Sequence, residues 1–142
     1  MANEMPDPDD YTGLSRTVLR FGKGFREVVD KIKQPGFSEA DWAPLEALVD
    51  VDRFERVGVF LTARAEVIGW PQYKSYVTQY GGDISWEGTL RRLTENGNRV
   101  IQELEERNTR NGVTDVSNTV TIFEFDDSGK LQHLDVYVMP LS

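Results

Sequence analysis

The sequence predicts an α+β domain in which N-terminal helices pack on the concave face of a curved, mostly antiparallel sheet. Three observations carry that prediction. Helical periodicity is concentrated in residues 14–80, and helices that precede a run of strands gather on one face of the sheet. From Trp86 to Val138 the chain reads as successive long strands, Trp86–Glu95, Arg99–Arg110, Val116–Asp126 and Leu131–Val138, rich in residues that suit a pleated surface. Each junction carries turn chemistry: Asn96-Gly97-Asn98 and Asn111-Gly112 tolerate positive backbone angles, and Asp127-Ser128-Gly129-Lys130 closes the last hairpin. Strands longer than the usual ~5–6 residues twist strongly, so the sheet curves and its concave side needs filling.

Residues 1–12 are acidic and carry Pro6 and Pro8, which predicts a loose N-terminal arm ahead of a single domain at 13–142. Leu14, Val18, Phe21, Phe25, Val28, Val29 and Ile32 recur at helical spacing and predict a helix over 14–33, with Gly22 and Gly24 each costing about 1 kcal/mol against Ala. Gln34-Pro35-Gly36 stops it. Ser38 is a candidate N-cap, with Asp41 three residues on, for a second helix to about Val49, in which Pro44 either sits in the first turn or starts the helix afresh. Between Val51 and Ile68 side chains alternate with a period of two, which predicts one strand despite the helix formers at 63–66. Trp70-Pro71 opens a third helix to Tyr80, and Gly81-Gly82 ends it.

The 142 residues suffice for one domain with a real core, and 39% hydrophobic against 28% charged residues describes a globular chain. Net charge of −8 disfavours nucleic acid and anionic membrane surfaces as partners. The absence of cysteine excludes disulfides and thiolate chemistry, and a lone histidine makes a zinc site a poor expectation. No apolar run approaches the ~20 residues of a membrane-spanning helix. The acidic start lacks an apolar signal core, which points to the cytoplasm.

Alternation along 99–110 puts Val100, Gln102, Leu104, Glu106 and Asn108 on one face, opposite Ile101, Glu103, Glu105 and Arg107. Along the last strand Leu134, Val136 and Val138 oppose His133, Asp135 and Tyr137. The more apolar sets should face the helices. Glu106 then points inward, where desolvation poises a carboxylate for acid/base work; alternatively it sits in rim water or pairs with a base. His133, Asp135 and Tyr137 resemble a proton relay, but alternation puts them on the outer face, where a polar ladder or dimer contact, pairing towards Arg107, Glu105 and Glu103, is the more ordinary reading. Phe60, Trp70, Tyr73, Trp86 and Phe123 offer aromatic walls for a planar or terpenoid-like ligand, or else core.

The segments Trp70–Tyr76, Trp86–Arg92, Glu103–Arg107 and above all the ending Phe123–Tyr137, a strand, a Gly-Lys turn and a final strand, resemble the nuclear transport factor 2-like superfamily. That superfamily has a cystatin-like α+β cone, and the closest branch is the SnoaL-like, polyketide cyclase-like one. The resemblance spans Leu14 to Val138. It implies a small apolar or polycyclic ligand, no cofactor, and a homodimer joined through the convex sheet face. It implies carboxylate acid/base chemistry of the isomerase, cyclase, dehydratase or epoxide hydrolase type, or alternatively a non-enzymatic module with a filled cone. The base Asp of ketosteroid isomerases falls at Phe60 or Leu61, their second Asp near Thr121, and their Tyr near Val28 or Val29. The Asp-Arg-Asp set of limonene epoxide hydrolases falls at Leu104, Glu106 and Val136, leaving Glu106 as the one matching carboxylate. The resemblance thus adds Leu104, Thr121 and Val136 to the aromatic set as expected ligand contacts, with Glu106 as the expected catalytic residue and no metal ligand.

Overall fold

A computed structural model describes residues 4–142 of the chain. The first long helix, α1, spans Gly13–Ile32 and buries Val18, Phe21, Val28 and Val29 of the expected apolar stripe, together with Leu19. Ser38 forms a capping box with Asp41, but the segment it starts is shorter than expected. A 3-10 turn at Glu39–Trp42 leads into α2, Ala43–Glu46, because Pro44 restarts the helix rather than extending it. Trp42 and Leu45 anchor this segment in the core.

The single strand expected over 51–68 is instead two short strands, β1 at Glu55–Gly58 and β2 at Glu66–Ile68, paired antiparallel around a loop. Gly58 explains the break. Its φ of +153° suits glycine, and a Cβ there would stand 2.8 Å from the Val136 carbonyl oxygen. Helix α3 follows at Trp70–Gly81, with Pro71 in the first turn.

Four long strands complete the sheet: β3 Ser85–Asn96, β4 Arg99–Arg110, β5 Val113–Phe125 and β6 Leu131–Pro140. Asn111 and Gly112, at φ of 53° and 77°, make the β4–β5 turn that the sequence calls for. Strand order is β2-β1-β6-β5-β4-β3. All neighbours are antiparallel except β1 and β6, which run parallel with Glu55 opposite His133. A register shift between Leu90 and Arg92 marks a bulge in β3, and bulges bend a strand and increase its twist. The helices fill the hollow, where Phe21 meets Phe123 and Tyr73 meets Phe54 in the main core.

The arm expected to be loose is docked from Glu4 onward; Met1–Asn3 lie outside the described residues. The Glu4 amide donates to the Gly88 carbonyl at 3.0 Å and its carboxylate accepts from Thr89 Oγ1 at 2.7 Å. Pro8 is buried in a 3-10 turn at Pro8–Asp10 that Asp7 caps. Edge strand β3 has unpaired main-chain groups, and the arm satisfies one of them.

Candidate functional site

Between α1, α3 and the concave face of the sheet lies a cavity of about 310 Å³. Alternation decides what faces it: Gln102, Leu104, Glu106 and Asn108 from β4, Thr119, Thr121 and Phe123 from β5, and Leu134, Val136 and Val138 from β6. Phe60 and Tyr73 add walls from the β1–β2 loop and α3. Of the residues expected from sequence, Glu106, Phe60, Tyr73, Trp86, Leu104, Thr121, Phe123 and Val136 all line this space.

Trp70 does not. It opens α3, where the helix leans on the second helical segment, so its ring meets Trp42 at 6.1 Å and stacks behind Tyr73 at 5.3 Å. Its Nε1 donates to Glu46 Oε2 at 2.8 Å. Trp70 is core, and Tyr73 is the aromatic that faces the cavity.

At one pole stands Glu106. Across β3 its neighbour is Gly88, and across β5 it is Ser117. The Trp86 indole lies over Gly88, where a Cβ would come within 2.4 Å of the ring. That placement carries Trp86 Nε1 to Glu106 Oε1, 2.6 Å away. The Arg26 guanidinium of α1 sits 5.6 Å from the centre of the same ring. The Tyr80 hydroxyl donates to Asn108 Oδ1. Burial, with the Glu106 charge nearby, pushes Tyr80 above its ordinary range, so it is a neutral proton donor at physiological pH.

Arg56, in the middle of β1, also faces the cavity, and sequence reasoning did not select it. The residue is 9% exposed. Its Nη2 donates to the Val59 carbonyl at 3.0 Å, and the Phe60 ring lies 4.6 Å from Cζ. Nη1 is buried without a hydrogen-bond partner. Burial lowers its pKa from the usual value, opposed by Tyr73 and Glu106, yet a guanidinium remains charged. Tyr73 is pushed up by burial and stays neutral. The signal was present in the alternation, since Arg56 shares a face with Phe54, Gly58 and Phe60.

His133, Asp135 and Tyr137 lie on the convex face, away from the cavity. His133 pairs with Asp135 at 3.0 Å and with Glu55 at 3.3 Å. The expected partners on β4 are out of reach because β5 stands between β4 and β6. Arg107 instead bonds Glu105 and Thr89.

No family model matches the chain, and no curated protein matches it in sequence. Solved structures do match. A candidate isomerase from Rhodopseudomonas palustris aligns over 86% of this chain and 88% of its own, with a TM-score of 0.63 at 13% identity. A nuclear transport factor 2-like protein of unknown function from Exiguobacterium aligns over 84% and 97%, TM-score 0.59, 14% identity. An LEH-like epoxide hydrolase from M. tuberculosis aligns over 84% and 82%, TM-score 0.55, 14% identity. At such identities the likeness is one of fold.

Proposed function

We propose that this chain, which has the nuclear transport factor 2-like fold, binds a small apolar molecule carrying one or two oxygens in its cone and moves a proton on it with Glu106. The cavity supports this reading above all: its volume falls in the ~300–1,000 Å³ range of ligand sites, and its walls are largely apolar with a few convergent polar groups. A filled cone would need Trp86, Phe123 and Leu104 as plugs, and each of them borders the open space instead.

Glu106 is held by one oxygen through Trp86, which fixes the carboxylate while the side chain faces the cavity. A positioned carboxylate transfers protons to or from a bound carbon acid or hydroxyl. The neutral Tyr80 hydroxyl lies near the same charge, and by turning its one proton from Asn108 it is suited to hydrogen-bond an oxygen that becomes electron-rich in that step. Isomerisation, cyclisation, dehydration and epoxide opening all draw on this chemistry, and Rhodopseudomonas and M. tuberculosis neighbours described as isomerase and epoxide hydrolase make it a natural use of the cone. No resident cofactor or metal enters the proposal. The working unit is proposed to be a homodimer joined through the convex face.

Native mass spectrometry of the purified protein tests the binding claim, with a retained small organic molecule as the expected result. Turnover of that molecule should fall by roughly a hundredfold or more in Glu106→Gln, with affinity nearly unchanged. The Gln side-chain oxygen can still accept from Trp86, so the variant keeps its local anchor. Unchanged turnover in a folded Glu106→Gln protein would remove the acid/base role.

A further inference from the structure

We propose that the ligand of this cone is a carboxylate, an apolar organic acid whose anionic group is held by Arg56. The inference rests on the binding reading above and deepens it. A buried cation ordinarily has a carboxylate partner, because removing an unpaired charge from water is costly. Arg56 lines the cavity at 9% exposure, with one carbonyl and one aromatic face for company and Nη1 left without an acceptor. Scarcity of acid does not explain this, since the chain has 24 Asp and Glu against 16 Lys and Arg. The cavity's own carboxylate, Glu106, is engaged by Trp86. Arg107, also buried but on the outer face, likewise has Nε and Nη2 without hydrogen-bond partners, yet its charge is met by Glu105 at 2.8 Å, and among the described residues Arg56 has no such ion pair.

An incoming carboxylate supplies the missing acceptor, and its planar pair of oxygens matches the guanidinium fork. The Thr119 hydroxyl, also on the cavity wall and also buried without a partner, marks a second place where a ligand oxygen is accommodated. Of the two cations that line the cavity, Arg26 lies over the Trp86 ring beside Glu106, which leaves Arg56 for the anion and suits a monoanion rather than a doubly charged phosphate. Glu106 repels the same group, so the acid enters with its carboxylate towards Arg56 and its reacting carbon free to meet Glu106. Net charge of −8 disfavours anions over the molecule as a whole, so any preference for one reports the local site.

The test compares 2-naphthoate with its neutral isostere 2-naphthamide, titrated into the full-length protein at neutral pH by calorimetry. The carboxylate should bind on the order of tenfold tighter or more, as a charge-assisted hydrogen bond implies. Arg56→Met and Arg56→Gln should weaken the acid at least tenfold and the amide far less, so that the acid's advantage is lost. Their ligand-free melting temperatures should hold or rise, because an unpaired buried charge is gone. Equal affinities in the wild-type protein overturn the carboxylate assignment and leave the cone reading standing. An acid preference that survives in folded Arg56 variants also overturns it, as does a marked loss of ligand-free stability, which makes Arg56 structural. Binding of neither naphthalene overturns both readings.

Discussion

Gly88 governs the geometry of the candidate acid/base. The Trp86 ring occupies the space that a Cβ would need, and through that placement its indole reaches Glu106. Gly88→Ala should therefore displace the ring and break the bond to Glu106. We expect about 1–3 kcal/mol of destabilisation from overpacking, and a shifted Trp86 indole N–H resonance in two-dimensional NMR. An unmoved resonance would contradict this account. Trp86→Ala acts differently. Trp86 is half-buried and borders open space, so its loss should cost less than the ~3–5 kcal/mol of a fully enclosed aromatic, while ligand affinity changes. A chemical melt and a titration separate the two effects.

On the convex face, burial by itself would lower the His133 pKa, but Asp135 and Glu55 outweigh it and raise it above the ordinary value near 6.5. A group whose pKa is higher in the folded state stabilises most below its unfolded pKa, and that contribution fades as pH rises through the folded value. The difference in stability between wild type and His133→Gln should thus be largest in mild acid and shrink towards alkaline pH. A partly exposed cluster makes the change about 1 kcal/mol or less. Urea melts across that range check it, and a difference that grows with pH would contradict the assignment.

Among the elements, those with strong periodicity were legible in the sequence. The α1 stripe, the α3 start at Pro71 and the four long strands lie close to where pattern and turn residues put them, since each combines a clear period with a stop signal. The inward set on β4 followed from alternation alone, and with it the place of Glu106. The β1–β2 hairpin was not legible. Its alternation is regular, and the break depends on Gly58 meeting Val136, a residue far away in sequence. Arg56 was overlooked for a related reason: its meaning comes from having no partner, which only the assembled cavity reveals. Trp70 was misplaced because aromatic content does not say which side of a helix faces a cavity and which faces another helix. The close approach at Gly58 gives its own test. Gly58→Ala should cost about 1–3 kcal/mol in a denaturant melt, from steric conflict and an unfavourable φ. A neutral result would mean that the strand shifts freely.

For the whole molecule, the proposed dimer turns on the convex face. Sequence reading dwelt on its charges, yet Ile101 opposes Ile122 and Val120 opposes Tyr137 across the ladder, so a partly exposed apolar strip crosses the polar surface. Tyr137 is 60% exposed and Met139 56%. Apolar and aromatic residues of this kind form the centre of protein interfaces, and in the proposed dimer charged pairs such as Arg92–Glu103 would stand at the rim. The proposed homodimer should sediment as a dimer at micromolar concentration and moderate salt, and Tyr137→Arg should shift it towards monomer. A monomeric wild-type protein would remove the proposal.

The parallel pairing of β1 with β6 has a temporal consequence. The two strands meet across a separation of 78 residues at Glu55 and His133, and β6 separates β1 from the rest of the sheet. During translation β1 and β2 emerge early, yet their place beside the sheet does not exist until Leu131–Pro140 has left the ribosome. Closing so long a loop before any of its contacts form makes the step slow relative to the local β3–β4 and β4–β5 hairpins. A nascent chain with residues 4–130 clear of the ribosome and the rest still enclosed should therefore hold a formed meander beside an unplaced hairpin, with Arg56 still in water and no cavity to enter.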